Sequence, residues 1–147
     1  MRLRIARFFI MSAGFILLTA GSAKLFSGLG HAKILATADP VFQVSFGVLF
    51  WVAGSVEMIL ALYCFLGKNL RYKTWSVCIL ATCFLTYRLK LMASGYHRPC
   101  PCFGNLPDAL GIPPQVAFYL LEAVFAYLLL GGYATLLLTY PADKSAR

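Results

Sequence analysis

Apolar residues run almost unbroken over Ile5–Phe26, Val41–Leu66, Thr74–Ala93 and Pro114–Tyr140, with the polar residues gathered between these runs. Each run is near or above the roughly 20 residues that carry a helix across a hydrocarbon core. Inside lipid a segment has no water to bond its backbone, so helix is the expected form. The punctuation agrees. Asp39-Pro40 stands ahead of the second run and Gly67-Lys68-Asn69 follows it. Pro113-Pro114 suits the first turn of the fourth helix, where a missing N–H costs nothing, and Pro141 is expected to end that helix. The pattern predicts an all-α, integral membrane four-helix bundle forming a single domain over residues 1–147, with spans of about 5–26, 41–66, 74–93 and 114–140. Arg2, Arg4 and Arg7 ahead of the first run resemble the start of a signal peptide, and Ala20-Gly21-Ser22-Ala23 offers small residues for cleavage. That run exceeds the about 7–15 residues of a signal core, so a retained helix is expected.

Composition excludes the soluble classes. The 147 residues are 61% hydrophobic and 12% charged, about half the charged fraction of a soluble domain. A net charge of +8 would suggest nucleic acid in a soluble chain. Here its distribution reports orientation instead. Arg2, Arg4, Arg7, Lys68, Arg71, Lys73, Lys144 and Arg147 fall on one side of the spans, whereas only Lys33 and Arg98 lie clearly in the opposite loops. The bias predicts N-in/C-in topology, with both termini cytoplasmic. If the cell is bacterial, the expected setting is the inner (cell) membrane, with lipid as the surrounding partner and no nucleic acid. The loop ahead of the fourth span is then periplasmic, on the oxidising side.

That loop holds Cys100-Pro101-Cys102-Phe103-Gly104. Proline pushes its predecessor toward extended backbone, and polyproline-like geometry, at roughly 3.1 Å per residue, would set the two α-carbons about 6.2 Å apart. This lies near the upper end of the roughly 4.4–6.8 Å that disulfides span. A bond across one residue is therefore expected to be strained, and strained disulfides are the oxidising, exchangeable ones. Redox activity of Cys100 and Cys102 is the favoured reading. A structural disulfide is a second, although so short a loop gains little closure entropy. Metal binding is a third: His97, Cys100 and Cys102 make a soft set suited to Cu(I) or zinc, but they lack a fourth ligand. Cys64, Cys78 and Cys83 lie within spans and read as small hydrophobes.

Four ionisable residues sit where each costs about 2.5–3.5 kcal/mol at a helix centre. Lys24, Arg88 and Glu122 share a level in the outer half, so Glu122 is expected to neutralise Lys24 or Arg88. The surplus cation would favour a thiolate in the loop above, or hold a quinone oxygen or another anionic group. Glu57 reads as deeper, with no cation at its level, either protonated or bonded to helix backbone or to a hydroxyl such as Ser55 or Thr19. Gly14, Gly21 and Lys24 repeat the spacing of Gly47, Gly54 and Glu57. Glycines seven apart share a helical face and let helices approach closely, so both charges should face the bundle.

Ala23-Lys24-Leu25 at the end of the first span, Glu57 in the second and Cys100-Pro-Cys102-Phe103-Gly104 before the last resemble the MauE branch of the DoxX-like membrane proteins. The order is kept over nearly the whole chain, and the Cys-x-Cys-Phe-Gly string is its specific part. Pro101 departs from the glycine more usual there and stiffens the loop. The resemblance implies a membrane protein that supports disulfide maturation of a periplasmic client, the methylamine dehydrogenase small subunit or another redox protein. It also implies a periplasmic thioredoxin-like (MauD-like) partner. The plan is similar to quinone-linked disulfide formers, but those carry a second loop cysteine pair that this chain lacks. A reading of another class is a non-catalytic adaptor or transporter-like bundle whose Cys-Pro-Cys loop is only a brace.

Overall fold

The computed structural model describes residues 2–29, 33–95 and 111–144. Four long helices account for most of them: α1 (Arg2–Gly28), α2 (Phe46–Leu66), α3 (Leu70–Ala93) and α4 (Pro114–Lys144). Each contains a stretch apolar enough to cross a membrane. Their outer faces carry bare large side chains, among them Phe8, Phe26, Leu66, Leu130 and Leu137, all more than 70% exposed. In water such a surface would drive association; helices apolar all round belong in lipid. The chain is an all-α, multi-pass membrane bundle.

Successive helices run antiparallel. Gly14 faces Cys64 and Gly28 faces Trp51, while Arg88 meets Glu122 and Phe84 meets Phe125. The start of α1, the end of α4 and the 67–69 connection therefore share one end of the bundle. Contact is most extensive between α1 and α2 and next between α3 and α4, so the fold is a pair of hairpins joined through α1. By contrast, α2 touches α3 only slightly and α4 less still.

Small residues make the close contacts. A Cβ at Gly21 would lie 3.0 Å from the Gly54 carbonyl oxygen, and one at Gly54 would lie 3.1 Å from that of Gly21. The two backbones touch, as the shared glycine spacing predicts, and van der Waals packing of this kind is the main adhesive between helices in lipid. On α4, Gly131 receives the ring of Phe9, and a Cβ at Gly132 would lie 2.7 Å from Cys78 Sγ. Phe9, Ile10, Ala13, Leu17, Ala61, Cys64, Val77, Ala81 and Leu128 form the packed core.

Three helix boundaries depart from the expectation. The second helix begins at Phe46 and not at Val41, because Asp39 builds a turn there. Its Oδ1 accepts from the backbone N–H groups of Val41 (2.9 Å) and Phe42 (2.7 Å). Gln43 takes a φ of +56°, and an aspartate bonding its own backbone competes with helix. The third helix starts at Leu70 rather than Thr74, because the connection is tight: Gly67 N–H bonds the Tyr63 carbonyl and Lys73 Nζ donates to the Cys64 carbonyl at 2.7 Å. A cation at the end of α2 satisfies a carbonyl the helix leaves open. Finally, α4 runs through Pro141 to Lys144. A proline in the last turn removes one hydrogen bond where the ladder is already running out.

Candidate functional site

The charged residues come together near one end of the bundle, but in pairs the sequence does not reveal. Lys24 Nζ donates to Glu57 Oε1 at 2.5 Å, with both side chains buried. Arg88 Nη2 donates to Glu122 Oε1 at 3.3 Å. The expectation that Glu57 has no cation at its level is thus overturned, as is the alternative of a bond to Ser55 or Thr19; Thr19 Oγ1 donates to the Phe15 carbonyl of its own helix.

The reason lies in side-chain direction. Along a helix Cβ bonds lean toward the N-terminus. In the antiparallel α1/α2 pair, Lys24 therefore reaches back along α1 while Glu57 reaches toward the start of α2, and they meet between their own levels. Starting α2 five residues late also places Glu57 nearer its N-terminus than the 41–66 span implied. Both Lys24 and Arg88 are consequently paired, which removes the surplus cation expected between them. Glu122 goes to Arg88 and not to Lys24. Aromatic faces hold both cations further: Lys24 Nζ stands 5.5 Å from the Phe84 centroid and Arg88 Cζ 4.7 Å from that of Phe118.

Lys24, Glu57 and Arg88 border a cavity of about 230 Å³. Its walls are Phe46, Leu49, Phe50 and Ala53 of α2, Phe84 of α3, and Leu121, Val124, Phe125 and Leu128 of α4, with Ile16, Leu17 and Ala20 of α1 behind. Lys24, Glu57 and Arg88 supply the polar part of the lining. The cavity occupies the wedge left where α2 stands off from α3 and α4.

The connection between α1 and α2 covers one side of it. Tyr87 Oη donates to Asp39 Oδ2 at 2.5 Å, and the rings of Phe42 and Tyr87, both on the cavity wall, stack at 5.7 Å and 13°. Asp39 is fully buried, so one carboxylate shapes the turn and ties it to α3. Sequence reading passed over Asp39 as a functional support. Its signal was the Asp-Pro pair, a known turn initiator.

Cysteines divide differently from the expectation. Cys64 and Cys78 are buried free thiols, as small core hydrophobes should be. Cys83 is exposed and lines the cavity, so it is not a core residue. His97, Cys100 and Cys102 lie outside the described residues. The hydroxyl contacts are structural: Ser12 Oγ and Tyr127 Oη join α1 to α4 at 2.5 Å, and Thr82 Oγ1 and Tyr133 Oη join α3 to α4 at 3.1 Å.

Against known proteins, a family model described as methylamine utilisation protein MauE matches residues 3–139. The chain belongs to the MauE family. The match reaches into all four helices and includes Cys100 and Cys102, so the paired charges and the cavity both lie within the MauE region. Comparison with curated proteins and with solved structures returned no match.

Proposed function

We propose that this MauE-family chain is a thiol–disulfide component of a bacterial inner membrane, supporting maturation of a periplasmic redox protein together with a thioredoxin-like partner. Methylamine metabolism is the setting that the family's description favours, and the methylamine dehydrogenase small subunit is the client that the resemblance implies. The observation that carries the reading is the Cys100-Pro-Cys102-Phe-Gly string ahead of α4, in a chain that matches the family over nearly its whole length.

The exchange requires only thiols. A thiolate of the reduced pair attacks a partner disulfide, forming a mixed disulfide and releasing one partner thiolate. The second cysteine then attacks its neighbour's sulfur in that bond. The pair leaves oxidised and the partner leaves reduced by two electrons, and the reverse sequence moves the electrons back. Arg88 and Glu122 support the pair by joining α3 and α4, the helices that flank it, while Lys24 and Glu57 join α1 and α2 beside them.

Orientation is part of the proposal, with both termini cytoplasmic and the Cys100 loop periplasmic, as the distribution of lysine and arginine favours. In intact, reduced cells a membrane-impermeant maleimide should label a variant whose only cysteines are Cys100 and Cys102. Labelling that waits for lysis would reverse the topology.

Redox titration of the same variant tests the chemistry. A midpoint within the exchange range, about −120 to −270 mV, is expected. A midpoint below about −300 mV would mark a structural brace.

A further inference from the structure

Among the described residues, two buried side-chain atoms have no hydrogen-bond partner: Arg88 Nη1 and Glu57 Oε2. Both residues line the same cavity, and they are 8% and 1% exposed. One unmet atom is a donor and the other an acceptor. Leaving such groups unmatched away from water carries their full desolvation penalty, and native proteins rarely do so without a reason.

We propose that this cavity binds the ring of a membrane-soluble quinol, with one hydroxyl donating to Glu57 Oε2 and another oxygen accepting from Arg88 Nη1. Size permits it. A cavity of about 150 Å³ holds a benzene ring, and this one measures about 230 Å³, leaving room for ring substituents. The walls suit a flat ring, since Phe46, Phe50, Phe84 and Phe125 present aromatic surface and the rest of the lining is largely aliphatic. Aromatic rings pack by offset or edge contact.

Position suits a hydrophobic ligand as well, because every lining residue except Phe42 comes from a helix long and apolar enough to span a membrane. A prenyl tail would leave where α2 makes little contact with its neighbours α3 and α4.

Chemistry discriminates between lipid-soluble candidates. A fatty acid would satisfy Arg88 but set a second carboxylate beside Glu57. An acyl chain satisfies neither atom. An oxidised quinone offers Arg88 a carbonyl but gives Glu57 no donor. A quinol meets both, so the reduced form should bind more tightly. The site involves neither Cys100 nor Cys102, and binding does not depend on the thiol reading.

The experiment titrates the purified full-length chain in detergent with ubiquinol-1 kept under argon, with ubiquinone-1, and with palmitate. Calorimetry reads the dissociation constants. Saturable binding of one ubiquinol-1 per chain is expected, with ubiquinone-1 weaker and palmitate unable to displace either. Arg88→Lys keeps the charge but loses the second N–H fork. It should weaken ubiquinol-1 about tenfold or more, the worth of one hydrogen bond to a charged group. Val124→Trp fills the cavity without touching a charge and should abolish binding while the melting curve stays cooperative. The Cys100→Ser/Cys102→Ser double variant should bind like the wild type, which separates this site from the thiol chemistry. Absence of saturable binding by the wild type overturns the proposal. So does wild-type affinity in both Arg88→Lys and Val124→Trp, or displacement of ubiquinol-1 by palmitate at equal concentration.

Discussion

Glu57→Gln should destabilise the bundle by about 3–5 kcal/mol, the usual consequence of stranding one member of a buried ion pair. Lys24 is 6% exposed, and Glu57 Oε1 is its bonding partner at 2.5 Å, so its charge has no water to turn to. Glutamine leaves a neutral acceptor in place but removes the opposing charge. Lys24→Met should be as damaging, since it strands the carboxylate instead. The Lys24→Met/Glu57→Met double variant removes both charges and should recover most of the loss, because apolar replacements of a buried pair are often neutral or stabilising. Thermal melting of the purified protein in detergent reads all three. Equal losses in the single and double variants would mean that the pair contributes through packing alone. Glu122→Gln provides the internal contrast. That carboxylate is half exposed, its bond to Arg88 is 3.3 Å, and Arg88 keeps the Phe118 ring at 4.7 Å, so its loss should cost less than that of Glu57. The sharp loss that a wholly buried layer would predict belongs to Glu57 and not to Glu122.

Cells carrying Cys100→Ser or Cys102→Ser should accumulate a mixed disulfide with a periplasmic partner, visible on a non-reducing gel and lost on adding reductant. A lone cysteine can still attack a partner disulfide, but the thiol that would resolve the adduct is gone. Client maturation should fall to the level of a deletion strain in both single variants and in the double variant. The effect is expected to be all-or-none, because neither sulfur can complete the exchange alone. Cys83→Ser serves as the control within the same chain. Its thiol lies on the cavity wall of a span, so maturation should persist. If neither single variant traps a species and the double variant still supports maturation, the chain is an adaptor.

Much of this architecture was legible in the residue pattern. Four apolar runs specified four helices, and paired glycines seven apart put Lys24 and Glu57 on inward faces, where both are buried. Partner choice was not legible. Span arithmetic assigns a charge to the level of its α-carbon, but lysine and glutamate reach several ångströms along the helix, each toward its own N-terminus. The late start of α2 was hidden for a related reason. Val41, Phe42 and Val44 are apolar enough to extend the run, and only the carboxylate of Asp39 holding the Val41 and Phe42 amides shows that they form a turn. The cavity could not be read at all, because it arises from how far α2 stands from α3 and α4. Cys83 carries the same lesson, since a thiol in a span looks like filling until the wall beside it is seen.

Among the described residues, both buried or half-buried ion pairs close within a hairpin. Lys24 and Glu57 belong to α1 and α2, and Arg88 and Glu122 to α3 and α4; neither hairpin borrows a countercharge from the other. A nascent chain can therefore enter the bilayer in two instalments, each neutralising its own charges before the next leaves the ribosome. Lone helices would have to carry a charge penalty of about 2.5–3.5 kcal/mol apiece until a distant partner arrived.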